Sequence, residues 1–135
     1  MSKIVLDTNC LVQCIPSRSK YRIIWNSILE GKNTLCVSND ILEEYEEILQ
    51  KLAGLEIAKL VIDYLVTSPY VIFCNPYFNF NLIQNDADDN KFVDCAICAN
   101  AKLIVTEDRH FDILKQCDFP RIPVMGLDDF MDLLQ

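Results

Sequence analysis

Short apolar runs rich in β-branched residues alternate along this chain with longer amphipathic segments. The runs have the length and composition of buried strands, and the segments between them carry apolar residues three and four positions apart, as helices do. The runs that we predict as strands are residues 3–6, 34–37, 70–74, 103–105 and 123–125. Strands that alternate with helices form parallel sheets covered on both faces. The sequence therefore predicts an α/β protein, a three-layer α/β/α sandwich with a central, mainly parallel sheet.

Glycines and polar residues mark where the predicted helices begin and end. Gly31 stops the first helix, Ser38 or Asn39 can cap the next, and Gly54 separates two consecutive helices. The helices predicted in this way cover residues 21–30, 39–52, 55–65, 88–100, 110–116 and 128–134. Residues 75–85 contain a proline, four asparagines and three aromatic residues. We predict a loop there, with its aromatic side chains packed on the protein rather than stacked on nucleobases.

Length and composition set the general class. The 135 residues fit a single domain, residues 1–135. No stretch approaches the roughly 20 apolar residues of a membrane span, and the N-terminal residues run straight into a strand rather than into the apolar part of a signal peptide. We therefore expect a cytoplasmic protein without membrane contact. The seven cysteines, mostly in apolar surroundings, predict reduced core thiols, among them Cys36, Cys74, Cys95 and Cys98.

The acidic balance weighs against a general nucleic-acid-binding surface. The net charge is −8 and the pI is about 4.5. A chain of this charge can still hold RNA on a local basic patch, for which Arg18, Lys20, Arg22 and Arg109 are candidates. Solvated surface charge is an equally good interpretation of the first three.

Two aspartates follow predicted strands at the same edge of the sheet. Asp7 comes directly after the first strand, and Asp108 follows the strand at residues 103–105. Open α/β sheets bind ligands beyond the carboxyl ends of their strands. Carboxylates that converge there without enough cations need a hard metal ion to offset their repulsion. We therefore predict a Mg²⁺ or Mn²⁺ site that cleaves phosphodiester bonds.

A third acid lies on a predicted helix. Glu44 shares a helix face with Ile41 and Ile48, whereas the neighbouring glutamates Glu43 and Glu47 point toward solvent. A carboxylate at the border of a buried face is costly unless it meets a cation, which favours a functional role for Glu44. An ordinary solvated acidic face is the alternative.

Further acids crowd the start of the helix predicted at residues 88–100. Capping explains one or two of Asp86, Asp88 and Asp89, but not all three together with Asp94 a turn later. Asp89 at the cap and Asp94 within an apolar segment are the candidate metal ligands. We expect Asp86 and Asp88 to face solvent or to support a ligand.

Polar residues beside these acids are candidates for supporting roles. Thr8 and Asn9, which follow Asp7 where the chain leaves the sheet, can bind metal-bound water or phosphate. Thr106 can hydrogen-bond a neighbouring carboxylate or a phosphate. Arg109 can contact substrate beside Asp108.

Together these motifs resemble those of a PIN domain. The resemblance extends from residue 3 to about residue 125, with the motifs in the family's order and spacing. The four motifs are Asp7-Thr8-Asn9, residues 38–45 with Glu44, Asp86-x-x-Asp89-Asn90-Lys91-Phe92 with Asp94, and Ile104-Val105-Thr106-Glu107-Asp108. The resemblance is closest to the toxins of bacterial toxin–antitoxin pairs. It implies an α/β/α sandwich, an acidic cluster that binds Mg²⁺ or Mn²⁺, cleavage of single-stranded RNA, an antitoxin partner and frequent dimers.

Carried over residue by residue, Asp7, Glu44, Asp89 and Asp108 match the family's acidic quartet. Asp94 stands where this branch often carries a further acid, and the sequence leaves open whether Asp89 or Asp94 contacts the metal directly. The amphipathic helices between residues 41 and 65 offer a surface for a second copy or for an antitoxin.

Three other interpretations are weaker. The pairs Cys95-x-x-Cys98 and Cys10-x-x-x-Cys14 could hold zinc, but they fall in an apolar helix and in a predicted strand-to-loop exit, where buried thiols are commoner. An aspartate after the first strand also occurs in haloacid-dehalogenase-like phosphatases, but those enzymes need a second aspartate two residues later, where this chain has Asn9. A non-catalytic or inhibited PIN-like module that binds RNA or a partner stays open.

The lone histidine, His110, cannot form the histidine pair of metal-free RNA cleavage, and we expect it to cap or pack the short helix after Asp108.

Overall fold

The computed structural model describes residues 2–77, 79–83, 87–116 and 121–135. The strands are β1 Ser2–Leu6, β2 Asn33–Val37, β3 Val71–Phe73, β4 Leu103–Val105 and β5 Val124–Met125. The helices are α1 Thr8–Cys14, α2 Arg22–Leu29, α3 Asn39–Ala53, α4 Leu55–Thr67, α5 Asn90–Ala99 and α6 Leu127–Leu134. Two segments form 3₁₀ helices, Ala87–Asp89 and Arg109–Gln116.

The five strands form one sheet in the order β3-β2-β1-β4-β5, and every neighbouring pair is parallel. Crossovers between parallel strands are right-handed. Helices α1 to α4, which connect β1, β2 and β3, therefore lie on one face, and α5, which carries the chain back across to β4, lies on the other. Contacts of α1 with α2 and α3, and of α5 with β1, β2 and β4, agree with this arrangement. The predicted sandwich with a parallel sheet is confirmed.

The order of the strands places β1 at the centre of the sheet, between β2 and β4. Its last three residues are fully buried, as are all three residues of β4. In the register of the two strands, Leu6 lies beside Val105, so the chain leaves both strands at the same level. Asp7 and Thr106 are the next residues, and this adjacency determines the position of the site.

Helix α1 differs from the prediction of a strand-to-loop exit after Asp7. Its seven residues follow the strand after one residue, and the side it buries consists of Thr8, Cys10, Leu11 and Cys14. Threonine and cysteine are weak helix formers, and an apolar run this short does not distinguish a helix from a loop in the sequence. Tertiary packing forms the helix and turns Thr8 inward.

The cysteines also depart partly from the prediction of reduced core thiols. Cys74, just after β3, and Cys98 of α5 form a disulfide, with their Cα atoms 6.3 Å apart. Packing of α5 beside the end of β3 brings together two residues that are 24 positions apart in sequence. Cys10, Cys14, Cys36 and Cys95 are free and buried, as predicted. With Cys98 in the disulfide, the four-cysteine zinc site is excluded.

The loop between β3 and α5 is held at its end but exposes an aromatic side chain. The Asn90 side chain accepts a hydrogen bond from the Ile83 backbone N–H at 2.8 Å and donates one to the Ile83 carbonyl at 2.7 Å. Tyr77 is 96% exposed and Phe80 is 41% exposed, so the prediction that these two side chains pack on the protein is wrong. The predictions for Phe78 and for residues 84–86, which include Asp86, fall outside the described residues.

Predicted helix ends are otherwise close to those observed. The Ser38 hydroxyl accepts a hydrogen bond from the Ile41 backbone N–H at 3.3 Å and so caps α3, as one of the two predicted alternatives. Gly54 ends α3 with a φ of 93°, a conformation that glycine adopts without the steric cost of a side chain. Within the described residues, no helix has the length and apolar character needed to cross a membrane.

Candidate metal and nucleic-acid site

Asp7 lies at the centre of the site, at the carboxyl end of β1. Its backbone N–H donates to the Val105 carbonyl at 3.0 Å and so continues the ladder between β1 and β4. The carboxylate is buried, and its Oδ2 accepts a hydrogen bond from the Thr106 hydroxyl at 2.8 Å. Burial raises the pKa of Asp7, the Thr106 hydrogen bond opposes that rise, and the negative charges of Glu44 and Asp108 add to it. A buried carboxylate between two others is a position that a cation would stabilise.

Glu44 is positioned by its neighbour on α3. The Tyr45 side chain is fully buried, and its hydroxyl donates to the carbonyl of Leu6 at 2.6 Å, which fixes α3 against the end of β1. Glu44 is half-buried, whereas Glu43 and Glu47 are exposed, as the helical period predicts. One carboxylate oxygen, Oε2, accepts a hydrogen bond from the Thr8 hydroxyl.

The other oxygen of Glu44 forms an ion pair. Its Oε1 lies 2.7 Å from Nζ of Lys91, with the two side chains 27% and 19% exposed. The inward-facing carboxylate thus has a cation and a hydroxyl as partners, which offset the cost of its partial burial. The sequence predicted that Thr8 contacts metal-bound water or phosphate, whereas here its hydroxyl holds Glu44, a contact that depends on the unpredicted helix α1.

A second group of ligand atoms lies beside Asp7. Asp89, Asp108 and His110 each bring one such atom within 4.8 Å of the others, and in the described parts of the chain this is the one group of its kind. Nδ1 of His110 is 3.4 Å from Oδ1 of Asp108 and 3.6 Å from Oδ2 of Asp89. The Asp108 backbone N–H donates to the Thr106 hydroxyl at 3.0 Å, so Thr106 links Asp7 and Asp108 through hydrogen bonds, as its predicted supporting role requires.

His110 is the residue in this group that the sequence analysis missed. Its backbone N–H donates to Oδ1 of Asp108 at 2.8 Å, and the 3₁₀ turn that begins at Arg109 brings the ring back toward the acids. The only indication in the sequence is its position two residues after a candidate ligand. The expectation that His110 only caps or packs the short helix is therefore incomplete.

Asp94 lies outside the Asp89–Asp108–His110 group. It is buried on α5, and its Oδ1 accepts a hydrogen bond from the Phe80 backbone N–H at 3.1 Å. Burial raises the pKa of Asp94, and the Phe80 hydrogen bond opposes that rise. Asp89 is at the N-cap position of α5, as predicted, but its carboxylate does not cap the helix. This geometry favours Asp89 over Asp94 for a ligand set that includes Asp108.

A groove of about 710 Å³ opens beside these acids, between α3, the loop after β3 and the start of α5. Its described lining includes six acidic residues: Asp40, Glu43, Glu44, Glu47, Asp88 and Asp94. Lys91 is the one cationic residue among the lining residues that the structure describes. Glu44 lines the groove and also lies near Asp7, so it stands between the groove and the acidic cluster.

Other predicted site residues lie at the periphery. Asn9 is exposed on the first turn of α1, and Arg109 is exposed at the start of its 3₁₀ helix. Lys20 pairs with Asp128 of α6 at 3.2 Å, and the Arg22 side chain contacts α2 and the end of α1. These contacts engage Lys20 and Arg22 within the protein, and Arg18 is exposed. The predicted basic patch is therefore not assembled around the acids by any described contact.

The donor set suits a hard divalent cation. Asp7 after β1, Asp89 in the 3₁₀ helix before α5 and Asp108 after β4 offer carboxylate oxygens, the ligands that Mg²⁺ and Mn²⁺ prefer, and one imidazole nitrogen is compatible with Mn²⁺. Burial is the largest cause of the raised pKa of Asp7 and the charges of Glu44 and Asp108 add to it, so a cation at this position would offset both effects. The carboxyl edge of an open parallel sheet, where this cluster lies, is the place at which such folds bind their ligands.

The sequence profile of the PIN domain matches residues 3–110 of the chain. The chain belongs to the PIN domain family, which confirms the resemblance seen in its motifs. PIN domains are generally metal-dependent nucleases that bind divalent ions through acidic residues. Among curated proteins, none matches the chain at a significant level of sequence similarity.

Solved structures with the same fold come from several organisms. VapBC2 from Rickettsia felis bound to a promoter DNA fragment is 20% identical with a TM-score of 0.61, over 92% of this chain and 98% of that one. VapBC-1 from nontypeable Haemophilus influenzae is 16% identical with a TM-score of 0.62, over 93% and 98%. The PIN domain endonuclease Utp24 is 18% identical with a TM-score of 0.53, over 92% and 84%. At these identities the similarity shows the shared fold.

Proposed function

We propose that this protein is a metal-dependent endoribonuclease that hydrolyses phosphodiester bonds of single-stranded RNA. The observation that carries the proposal is the convergence of Asp7, Glu44, Asp89 and Asp108 from four separate elements on one edge of the sheet. Glu44 and Asp108 are close enough to Asp7 for their charges to raise its pKa. Membership of the PIN family, whose members are generally metal-dependent nucleases, supports this assignment.

The acidic residues of the site would bind the metal ion. Asp7, Asp89 and Asp108 would hold Mg²⁺ or Mn²⁺, with Glu44, Asp94 and His110 as further candidate ligands. When bound, such an ion supplies a water nucleophile of lowered pKa and charge stabilisation for the leaving oxygen.

The remaining side chains orient the acids. The Thr106 hydroxyl holds one oxygen of Asp7 and so orients that carboxylate, whereas Thr8 and Lys91 hold the two oxygens of Glu44. His110 is the only histidine of the chain, so the histidine pair of metal-free RNA cleavage cannot form. No side chain needs to act as the nucleophile in this scheme.

We further propose that the protein is the toxin of a toxin–antitoxin pair. The similarity in fold to VapBC and FitAB, which are toxin–antitoxin assemblies, supports this role. The outer face of the α3–α4 hairpin offers a surface for an antitoxin or for a second copy, because Leu52, Leu55 and Leu60 are about two-thirds exposed there, at 66%, 68% and 66%. A reading frame for a small DNA-binding protein next to the gene would agree with the toxin role.

Single-turnover hydrolysis of a labelled single-stranded RNA tests the nuclease proposal. Wild type should cleave it in Mn²⁺ and lose this activity in chelator, and the Asp108→Asn variant, prepared in the same way, should be inactive in Mn²⁺. A single-stranded DNA of the same sequence tests the preference for RNA. Cleavage that persists at the wild-type rate in Asp108→Asn would be contamination. A wild type that binds RNA without cleaving it would instead be a non-catalytic binding module.

A further inference from the structure

The groove beside the acidic cluster presents an electrostatic problem for an RNA-cleaving enzyme. Its described lining holds six carboxylates and one ammonium group, and the whole chain carries a net charge of −8. A phosphodiester backbone that enters such a groove is repelled, and affinity for nucleic acid comes largely from cations at the phosphates. A cation fixed inside the groove would therefore contribute more to substrate binding than one on the outer surface.

Lys91 is placed to be that cation. It is the second residue of α5, and its side chain is 19% exposed, with Nζ 2.7 Å from Oε1 of Glu44 and 5.7 Å from the centroid of the Phe92 ring. An ammonium group has three N–H donors, and one carboxylate oxygen accepts one of them. Glu44 thus holds the ammonium at the border between the groove and the cluster around Asp7.

The other cations predicted to contact RNA are placed differently. Lys20 and Arg22 are engaged in contacts with α6, α1 and α2, and Arg109 is exposed outside the described lining of the groove. Lys91 therefore combines partial burial with direct contact to a residue of the acidic cluster, and none of Lys20, Arg22 and Arg109 has a described contact of that kind.

We propose that Lys91 is the phosphate-binding residue of the groove and that its ammonium donates hydrogen bonds to a non-bridging oxygen of the bound strand while Glu44 keeps it in position. This inference rests on the proposed nuclease function and adds the residue that makes an acidic groove compatible with RNA. The alternative is that Lys91 is only a counter-ion that makes the partly buried Glu44 tolerable.

The two roles predict different outcomes for Lys91→Met, which keeps most of the side-chain length and removes the charge. A phosphate-binding lysine predicts RNA binding weakened several-fold, at all sequences alike. It also predicts that the slope of log Kd against log salt falls by about 0.7, the value for one phosphate contact on a single strand. The Lys91→Arg variant should keep the salt slope, because the guanidinium also binds phosphate.

The matched control is Lys32→Met. Lys32 forms an exposed ion pair with Glu30 at 2.9 Å and lies just before β2, at the opposite end of the sheet from the site. Lys32→Met removes the same positive charge as Lys91→Met, so a comparison of the two variants cancels the general effect of a more negative protein on RNA binding. Binding is measured by fluorescence anisotropy with a labelled single-stranded RNA of mixed sequence, in Ca²⁺ and with intactness of the RNA checked on gels. Thermal melting confirms that each variant folds.

A titration of Mn²⁺ against each variant gives a readout that is independent of RNA. Removal of a cation from Glu44 should leave the affinity for Mn²⁺ equal or higher, so a loss of RNA binding cannot come from a lost metal ion. If Lys91→Met binds RNA with the affinity and salt slope of Lys32→Met, Lys91 is only a counter-ion and the proposal is overturned. If Lys91→Met does not fold, Lys91→Arg decides, and a folded Lys91→Arg with a reduced salt slope overturns the proposal.

Failure of this inference differs from failure of the proposed function. A wild type that cleaves RNA while Lys91→Met and Lys32→Met bind it equally removes the role of Lys91 alone. A wild type that binds RNA through Lys91 but does not cleave it in Mn²⁺ removes the nuclease and keeps the phosphate contact. A wild type that neither binds nor cleaves RNA overturns both.

Discussion

The carboxyl edge of the sheet and the outer face of the α3–α4 hairpin depart from ordinary burial in opposite directions. At the sheet edge, the acidic side chains of Asp7 and Asp89 are buried, at 6% and 8% exposure. On the hairpin, large apolar side chains are exposed, among them Leu52 and Leu60. Buried charge and exposed apolar surface are both unfavourable for an isolated chain.

The difference between the two regions lies in what would remove each cost. Buried carboxylates in the same site repel one another, and a divalent cation removes that repulsion. Exposed leucines are stabilised when another protein surface covers them. The sheet edge therefore indicates an ion, and the hairpin indicates a protein partner. Substitutions at the sheet edge should affect only binding of the ion, and substitutions on the hairpin should affect only binding of the partner. The predictions below test this separation, beginning with the largest effect.

The largest effect is expected from Glu44→Gln and Asp89→Asn. Each substitution should reduce the rate of RNA cleavage in Mn²⁺ by roughly a hundredfold or more, because it removes a carboxylate that positions the ion. RNA affinity should stay similar or improve in Asp89→Asn, because one negative charge that faces the phosphate backbone is lost. It should stay similar in Glu44→Gln, because the amide oxygen can still accept a hydrogen bond from Lys91. Single-turnover cleavage and anisotropy binding measure the two quantities separately. A parallel fall in cleavage and in binding would mean that these acids hold RNA rather than the ion.

The second effect is on thermal stability. A saturating concentration of Mg²⁺ or Mn²⁺ should raise the melting temperature on the order of 10 °C, since a ligand present at a hundred times its Kd stabilises the folded state by about 2.7 kcal/mol. The Asp7→Asn, Asp108→Asn double variant should lose this shift. An equal shift in the double variant would show that the ions only screen the net charge of −8.

Much of the site could be predicted because simple rules govern where its acids lie. The chain leaves parallel strands at one edge of the sheet, which brings Asp7 and Asp108 together once residues 3–6 and 103–105 are recognised as strands. The helical period places Glu44 at the border of a buried face before any contact is known. These are local patterns, and local patterns can be read from a sequence.

The parts that escaped prediction depend on tertiary contacts. The helix α1 forms through packing of Thr8 and the cysteines, which have no helical preference of their own. The disulfide joins two elements 24 residues apart, and nothing in the sequence says that α5 passes beside the end of β3. His110 joins the acids only because a 3₁₀ turn brings its ring back. Lys91 appears as a solvated charge until its contact with Glu44 is seen.

The third effect tests the apolar hairpin. Leu60→Glu should weaken binding of a second copy or of an antitoxin by about tenfold or more, while changing the stability of the monomer by less than about 0.5 kcal/mol, because Leu60 is 66% exposed. Sedimentation measures the oligomeric state, and pull-down with the neighbouring gene product measures partner binding. Cleavage by the isolated variant should match wild type. A variant that loses cleavage but keeps its partners would contradict the separation of the two regions.

The smallest effect is on the stability of the metal-free protein when Asp7 is replaced by Asn. Burial and the charges of Glu44 and Asp108 raise the pKa of Asp7 in the folded state. A carboxyl group with a raised pKa binds its proton more tightly when folded, so its ionisation lowers stability as the pH rises through the window between the unfolded and folded pKa values. This cost is complete once the pH is above the folded pKa, and there Asp7→Asn should melt at the same temperature as wild type or a few degrees higher.

The difference should shrink as the pH is lowered toward the ordinary aspartate pKa, because Asp7 then becomes protonated and the wild type loses the same charge. Other carboxylates titrate in both proteins, so the difference between the two melting curves isolates Asp7. Melting in chelator at several pH values provides the measurement. A variant that is clearly less stable at neutral pH would show that the carboxylate of Asp7, through its hydrogen bond from Thr106, contributes to folding. Asp7 would then be a structural residue, and its burial would no longer indicate a bound ion as the exposed leucines of the hairpin indicate a partner.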